Sequence, residues 1–461
     1  MTIRATALTL FLIVLASVAL PGSQYPLNAQ VVTRLGLAVA IVEDGQVTID
    51  RFASHTIDKA QIGEHFYADK VPGQSLLALP LVALALPFVG DIGTLDTPEQ
   101  ERAFERLADI VTPLLNGLLA AVAVAVFYLT AIRLGATEPG ALFGAVALGL
   151  GSPFFGWSTA FFAHSISASL LILGFSAIAF TLASPGRPRA WAIALTGVLL
   201  GYTVVVDLTS APVVGLAGLT ALVLIWRNHR SGVWPQVGIL VAGGIVGVLP
   251  LLIYNQIAFA SPFKLGYGSV VGFEGMQQGF FGVTWPRPGV VVQLILGEYR
   301  GLLPMAPVLL LVPLGLWRLW RTPGRRGIAV VILLASLSYL WINASYFYWQ
   351  GGWSTGPRHL VPALPFLAMA LAFSWPNRFK WVSLALLAVS CLIWLLAISS
   401  DMFSPEEIRA TLVDHLLPTL VYPGVQLQMA MGVVLWVVGG LVLLRRGTVS
   451  GPMAIDRPAT R

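Results

Sequence analysis

Between Asp50 and Gly73 the chain reads DRFASHTIDKAQIGEHFYADKVPG, which gathers Asp50, Asp58, Glu64, Asp69, Lys59, Lys70, His55, His65 and Tyr67 in one short stretch. Only 10% of the 461 residues are charged, so few polar groups are available for decoration. An aspartate beside a membrane with cations close by can take the proton of an acceptor hydroxyl as a general base. A phosphate leaving group needs cationic donors in a low-dielectric site, which Lys70 and Arg358 can supply. Pro72 and Gly73 follow Lys70 at the start of an apolar run and fix the chain there, which holds the ammonium at the depth of a lipid phosphate. For any single acid a solvated loop charge is the simpler reading. The cluster as a whole argues for a site.

A second constellation is SYFYWQGGWSTGPRH, residues 345–359. Tyr346, Phe347, Tyr348, Trp349 and Trp353 surround a Gly-Gly pair, and Arg358-His359 closes the segment as the next apolar run starts. Aromatic faces bind sugar rings or isoprenoid chains, and an arginine can fork onto a phosphate. The competing reading is an interfacial aromatic belt with a snorkelling arginine. Weaker candidates are His164 in FFAHS, Asp207 at the tip of an apolar hairpin, Lys264 in SPFKLGY, and Glu298 with Arg300 in GEYRG. A surface ion pair is the plainer reading of the last two. No HExxH, clustered histidine or carboxylate cage is present, so a divalent metal is possible but not indicated.

Membrane helices must position these groups. Hydrophobic residues make up 57% of the chain, and apolar runs near the twenty residues needed to cross a bilayer recur along it. Continuous runs exclude a β-barrel, so the expected fold class is an all-α polytopic membrane protein. The net charge of +6 sits in short arginine-bearing connections, which membrane topology explains without nucleic acid. Cys391 is the only cysteine, so no internal disulfide or cysteine-based metal site is possible. No nucleotide fingerprint appears.

The expected spans are 5–21, 106–132, 138–155, 160–183, 189–206, 210–227, 235–258, 299–318, 327–345, 357–374, 379–397 and 426–444. The run 71–89 is interrupted by Pro72, Pro80 and Pro87. If it does not cross, then Arg133, Arg187, Arg189, Arg227, Arg230, Arg318 to Arg326, Arg378, Lys380, Arg445 and Arg446 all share the side of Arg4, which is the cytoplasm. It is therefore read as a helix in or dipping into the outer leaflet. About twelve spans follow, with both ends cytoplasmic. The domains are a retained first helix at 1–22 (rather than a cleaved signal peptide), an external loop 23–105 and a bundle 106–258. An external loop 259–298, C-terminal spans 299–444 with external loops 345–359 and 398–425, and a tail 445–461 complete them.

The ordered strings HFYADKVPGQSLLALP, YNQIAFASPFKLGY, EYRGLLPMAPVLLL and YWQGGWSTGPRHLVPALPFL resemble bacterial members of the GT-C glycosyltransferase superfamily. The nearest relatives are family-39-like enzymes, including protein O-mannosyltransferases and lipid A aminoarabinose transferases. The resemblance implies a long first external loop with membrane-surface helices, and a polyprenyl-phosphate-linked sugar as donor. It also implies catalysis by an acid of that loop. The family's Lys-x-Pro segment falls on Lys70, Val71 and Pro72, so Lys70 would contact the lipid phosphate. The family's Asp-Glu pair has no clean match; Glu43-Asp44 has its composition in reverse order. Asp50 is taken as base, with Asp58 and then Asp44 behind it. Lys70, Asp69, Tyr67, His164, Lys264, Arg300, Tyr348, Trp353, Arg358 and His359 are taken as substrate-binding. The implied activity is inverting sugar transfer at the outer face of a bacterial cytoplasmic membrane, onto a glycan, lipid or protein. The alternative is a transporter or flippase of a lipid-linked sugar intermediate. It needs a polar path through spans that here are nearly free of charge.

Overall fold

The computed structural model describes residues 2–183, 188–228 and 232–447. Arg187, Arg230 and the tail from 448 onward lie outside the described residues. The first helix, α1, runs Ile3–Ala19, and Thr2 caps it by accepting from the Ala5 N–H. Helix α2 (Ala29–Asp44) starts at a capping Asn28 and stops at Gly45, whose φ of 65° is the left-handed conformation that ends helices. A two-stranded antiparallel hairpin follows, β1 (Lys59–Ile62) and β2 (His65–Ala68), with Lys59 opposite Ala68 and Ile62 opposite His65. Helix α3 (Gly73–Val89) carries Pro80 and Pro87 inside it, and its outer side exposes Leu84 and Phe88. The segment read as an external loop therefore holds a buried helix, a hairpin and a second helix. Helix α2 is the element that the sequence reading did not see.

Helix α4 (Pro98–Thr112) begins at a Thr97 cap with Pro98 in the first turn and Glu99 and Glu101 at its positive end. Its buried face is Ala103, Phe104, Leu107, Ala108 and Val111. It passes through a wide turn at Pro113–Gly117 into α5 (Leu118–Arg133), making one helix of 36 residues. Proline lacks the N–H that an unbroken α-ladder needs, which accounts for the wide turn there. The expected span 106–132 is thus the apolar part of a longer helix.

The chain continues through α6 (Glu138–Gly149), α7 (Pro153–Trp157), α8 (Ala163–Thr181), α9 (Ala190–Val206) and α10 (Ala211–Asn228). Then come α11 (Val233–Phe259), α12 (Pro288–Leu296), α13 (Leu302–Met305), α14 (Val312–Arg321) and α15 (Arg326–Ser345). Last are α16 (Leu364–Ser374), α17 (Lys380–Ser399) and α18 (Pro423–Gly447). The protein is an all-α, multi-pass membrane protein. Among the described residues seven helices are long and apolar enough to cross a bilayer, and the α1, α9 and α16 regions are shorter apolar helices. Two expected spans are broken. Residues 138–155 divide into α6 and α7 at Gly149 to Pro153, and 299–318 divide into three pieces around Pro304, Pro307 and Pro313.

One close approach fixes the position of α3 against the bundle. A Cβ on Gly73 would lie 2.4 Å from the Val205 carbonyl oxygen, so the start of α3 sits directly on the end of α9. The Tyr202 hydroxyl donates to the Gly73 carbonyl at 2.8 Å, closing the same joint.

Candidate active site

The hairpin delivers the first groups. Ile49 N–H donates to the Phe66 carbonyl at 2.7 Å, and the Asp50 carboxylate accepts from His65 Nδ1 at 2.7 Å and from Phe66 N–H at 2.5 Å. Asp50 thereby clamps β2 to the preceding turn, and it stays partly exposed. Asp58, eight residues on, is turned the other way. It is 8% exposed, and its Oδ1 lies 3.5 Å from Lys70 Nζ. Asp69 is 2% exposed, and Lys70 also donates to its carboxylate. Asp44 pairs with Arg51 at 3.0 Å, beside a 2.7 Å Arg51–Glu43 contact, at the solvent edge. Of the three candidate bases, only Asp58 stands beside Lys70.

Burial works against the Lys70 ammonium, but Asp58 and Asp69 outweigh it and hold the group above its ordinary value. Lys70 is therefore a fixed positive charge. Burial raises the Asp69 carboxyl, and Lys70 opposes that rise.

Two arginines complete the cluster. Arg34, on α2, is 6% exposed, and its Nε and Nη1 have no hydrogen-bond partner. Burial lowers its basicity, against the opposing carboxylates of Asp69, Asp207 and Asp58. Arg358, in the short helical turn Arg358–Ala363 before α16, is 7% exposed, and its Nε is also without a partner. Its guanidinium lies 5.3 Å from the Phe162 ring centre and 5.9 Å from that of Trp157, and Asp58 is its leading electrostatic partner. Lys70 pairs with both acids, Asp58 and Asp69, while Arg34 and Arg358, each under the electrostatic influence of Asp58, leave three buried N–H donors without a protein partner. Buried donors without partners are uncommon, and a cluster of them matches an anion held in several places at once. Lys70 and Asp58 keep 19% and 11% of their side-chain surface open. Behind them, a cleft of about 10 Å³ lined by Asp69, Lys70, Tyr254 and Tyr267 has room for one water.

The remaining expected residues separate into two groups. His164 at the start of α8 meets His359 edge-to-face at 5.2 Å, and His359 meets Tyr346 at 5.6 Å. His164 Nδ1 is 4.0 Å from Asp207, too far for a hydrogen bond, while Asp207 accepts from Thr209 N–H at 3.0 Å. Tyr348 donates to Glu406, a carboxylate that the sequence reading passed over. Burial, then Glu406, raises the Tyr348 phenol above its usual value. Trp353 is 45% exposed and stacks on Tyr25 at 6.1 Å. Tyr67 is buried against Phe259 at 5.3 Å, in a small apolar cluster with Leu37 and Ile49.

Lys264 is exposed, and its backbone N–H donates to the Ser261 carbonyl at 3.3 Å. Arg300 is fully buried rather than paired with Glu298 at the surface. Its Nη1 donates to Thr411 Oγ1 at 2.8 Å and the Tyr299 carbonyl at 3.2 Å. Its Nη2 donates to the carbonyls of Ser404, Gly352 and Pro405 at 3.0, 3.1 and 3.2 Å. Arg300 is a staple between three loops. Among the described residues no three His, Cys, Asp or Glu side chains converge as a metal site requires.

Arg34 is the cluster member that the sequence reading missed. Its signal was a lone cation in the apolar run from Val31 to Ile41, and an intramembrane or buried charge is a functional candidate by default.

No protein-family model and no curated protein sequence matches the chain. Solved structures do. ArnT from Cupriavidus metallidurans, determined bound to undecaprenyl phosphate, superposes with a TM-score of 0.55 at 14% identity, over 96% of this chain and 72% of ArnT. The oligosaccharyltransferase AglB from Archaeoglobus fulgidus, solved with an inhibitory peptide and a dolichol-phosphate, gives 0.45 at 13% identity, over 87% of this chain and 56% of its own. The chain therefore shares the fold of ArnT.

Proposed function

We propose that the chain is a glycosyltransferase that moves a sugar from a polyprenyl-phosphate donor to an acceptor at the outer face of a bacterial cytoplasmic membrane. The observation that carries this reading is the buried Asp58–Lys70 pair with Arg34 and Arg358 around it, in a fold shared with a protein solved holding undecaprenyl phosphate. The donor phosphate lies between Lys70 and Arg358, with Arg34 behind, and supplies the acceptor atoms that their free N–H groups lack. The acceptor hydroxyl gives its proton to Asp58, and its oxygen attacks the anomeric carbon. The bond from that carbon to the phosphate oxygen breaks, its electron pair stays on the phosphate, and configuration inverts. Lys70 stays charged throughout and acts as an electrostatic stabiliser. Asp50 positions the hairpin, and Trp353 with Tyr25 offers an aromatic face for an acceptor sugar.

Orientation is supported by the helices themselves. Helix α9 starts after Arg189 and ends at Asp207, while α15 starts at Arg326 and ends beside Tyr346. The cluster thus sits at the ends opposite the arginines, which face the cytoplasm by the positive-inside rule. Helix α3, with Leu84 and Phe88 exposed, then lies in the outer leaflet.

The test is turnover by the purified chain in proteoliposomes, with a panel of polyprenyl-phosphate sugars and a mixed acceptor extract. Release of polyprenyl phosphate that disappears in Lys70→Ala is the expected result. Specific donor binding without release would replace the transferase with the transporter.

A further inference from the structure

A cavity of about 320 Å³ lies between the end of α5, the end of α14 and the end of α16, at the far end of the helical segment that opens with Arg358. Helix α15 begins beside it at Arg326 and runs 20 residues to Ser345, about 30 Å at the α-helical rise, so the two sites are a bilayer core apart. Three arginines line the cavity (Arg318, Arg321 and Arg325) together with Trp317, Phe373 and Trp375, and no Asp or Glu does.

Arg318 is committed to the fold. Its Nη1 donates to the carbonyls of Pro376, Ser374 and Phe373 at 2.6, 2.8 and 3.3 Å, tying the end of α14 to the end of α16. Arg321 and Arg325 make no ion pair among the described residues, and their guanidinium groups lie over Trp317 and Phe373 at 5.7 and 5.3 Å. The Arg325 guanidinium also rests on Gly135, where a Cβ would come within 2.3 Å of its Nη2. The positive-inside rule accounts for arginine in this connection. It does not account for arginines and aromatic rings converging on a concave wall of ligand-pocket size.

We infer that this cavity is a second anion site, which takes the phosphate of an anionic lipid headgroup on the membrane face opposite the Asp58–Lys70 cluster. Arg321 and Arg325 contact the phosphate, and Arg318 fixes the wall behind them. A lipid is favoured over free phosphate because Trp317 and Trp320, 56% and 52% exposed on the same helix, put the opening at headgroup depth.

Native mass spectrometry of the full chain, titrated with phosphatidylglycerol and in parallel with phosphatidylcholine, tests this. The expected result is a phosphatidylglycerol adduct weakened about tenfold or more in Arg321→Gln/Arg325→Gln and retained in Lys70→Ala. Arg321 is exposed, so Arg321→Gln alone keeps the test readable if the double variant folds poorly. Displacement of the adduct by excess inorganic phosphate supports the anion site with free phosphate as a competent ligand; resistance supports the lipid. Equal binding of phosphatidylcholine, or an adduct unchanged in both variants, overturns the inference.

Discussion

Arg300 and Arg34 are both buried arginines, and they are buried for opposite reasons. Both terminal nitrogens of Arg300 are taken up by five hydrogen bonds to Thr411 and to the carbonyls of Tyr299, Gly352, Ser404 and Pro405, which leaves its Nε as the one unpartnered donor. Arg34 makes no side-chain hydrogen bond among the described residues, and two of its nitrogens are orphaned. A buried cation whose donors are spent on backbone carbonyls holds loops together. One whose donors are free in the company of Asp58, Asp69 and Lys70 is placed to receive something from outside. Charge and burial alone do not separate the two; hydrogen-bond satisfaction does.

The sharpest way to break this contrast is at the acids it singles out. Asp58→Asn should lower turnover by about 10²–10⁴-fold, the range for loss of a general base, with expression and melting temperature kept. Asp50→Asn should instead loosen the hairpin and cost far less activity. If the two losses came out reversed, the base would be Asp50 and the geometry would have misled.

Next come the arginines. Arg34→Met and Arg358→Met should each reduce donor turnover by about 10²–10³-fold, as expected when one preorganised donor to a developing oxyanion is removed. Neither should lower the melting temperature in detergent much, since neither arginine has a side-chain hydrogen bond to lose among the described residues, and methionine keeps an apolar contact with the Phe162 and Trp157 rings at position 358. Arg300→Met should do the reverse, destabilising by on the order of 3 kcal/mol through the carbonyls left unpaired. Thermal unfolding and turnover, measured on the same preparations, separate the three.

The smallest effect concerns pH. Thr94, and then His55 at 3.0 Å, hold the exposed Asp96 carboxyl below its ordinary value. A depressed carboxyl adds stability above its unfolded-state value and loses it as pH falls through the folded one. Asp96→Asn should therefore flatten a slight acid-side fall in melting temperature below about pH 4.

Much of this was legible without coordinates. Lys70 stands out from its place before Pro72 and Gly73, Arg358 from its place at the start of an apolar run, and the arginine-bearing connections carry the proposed topology. The ranking of the aspartates was not legible. Asp50 and Asp58 share one loop, and only the hairpin turns the first toward His65 and the second toward Lys70. Helix α2 was hidden because 16 residues are short for a span, and Arg34 in their midst reads as loop polarity. Leucine and valine made the region 299–318 look like a span by composition, while its prolines break the backbone into three helical pieces.

The Gly73 joint has a mechanical meaning. Lys70 is three residues from a point where backbone rests on backbone, with no side chain between to give way. The ammonium is therefore indexed to α9, a helix of the bundle, and not to the lipid surface on which α3 is proposed to rest. In a thicker or thinner bilayer the cation keeps its height in the protein while the phosphate plane moves past it. Under the proposed function, hydrophobic mismatch between host membrane and protein becomes a control on substrate capture, set by acyl-chain length and not by any residue that touches the sugar.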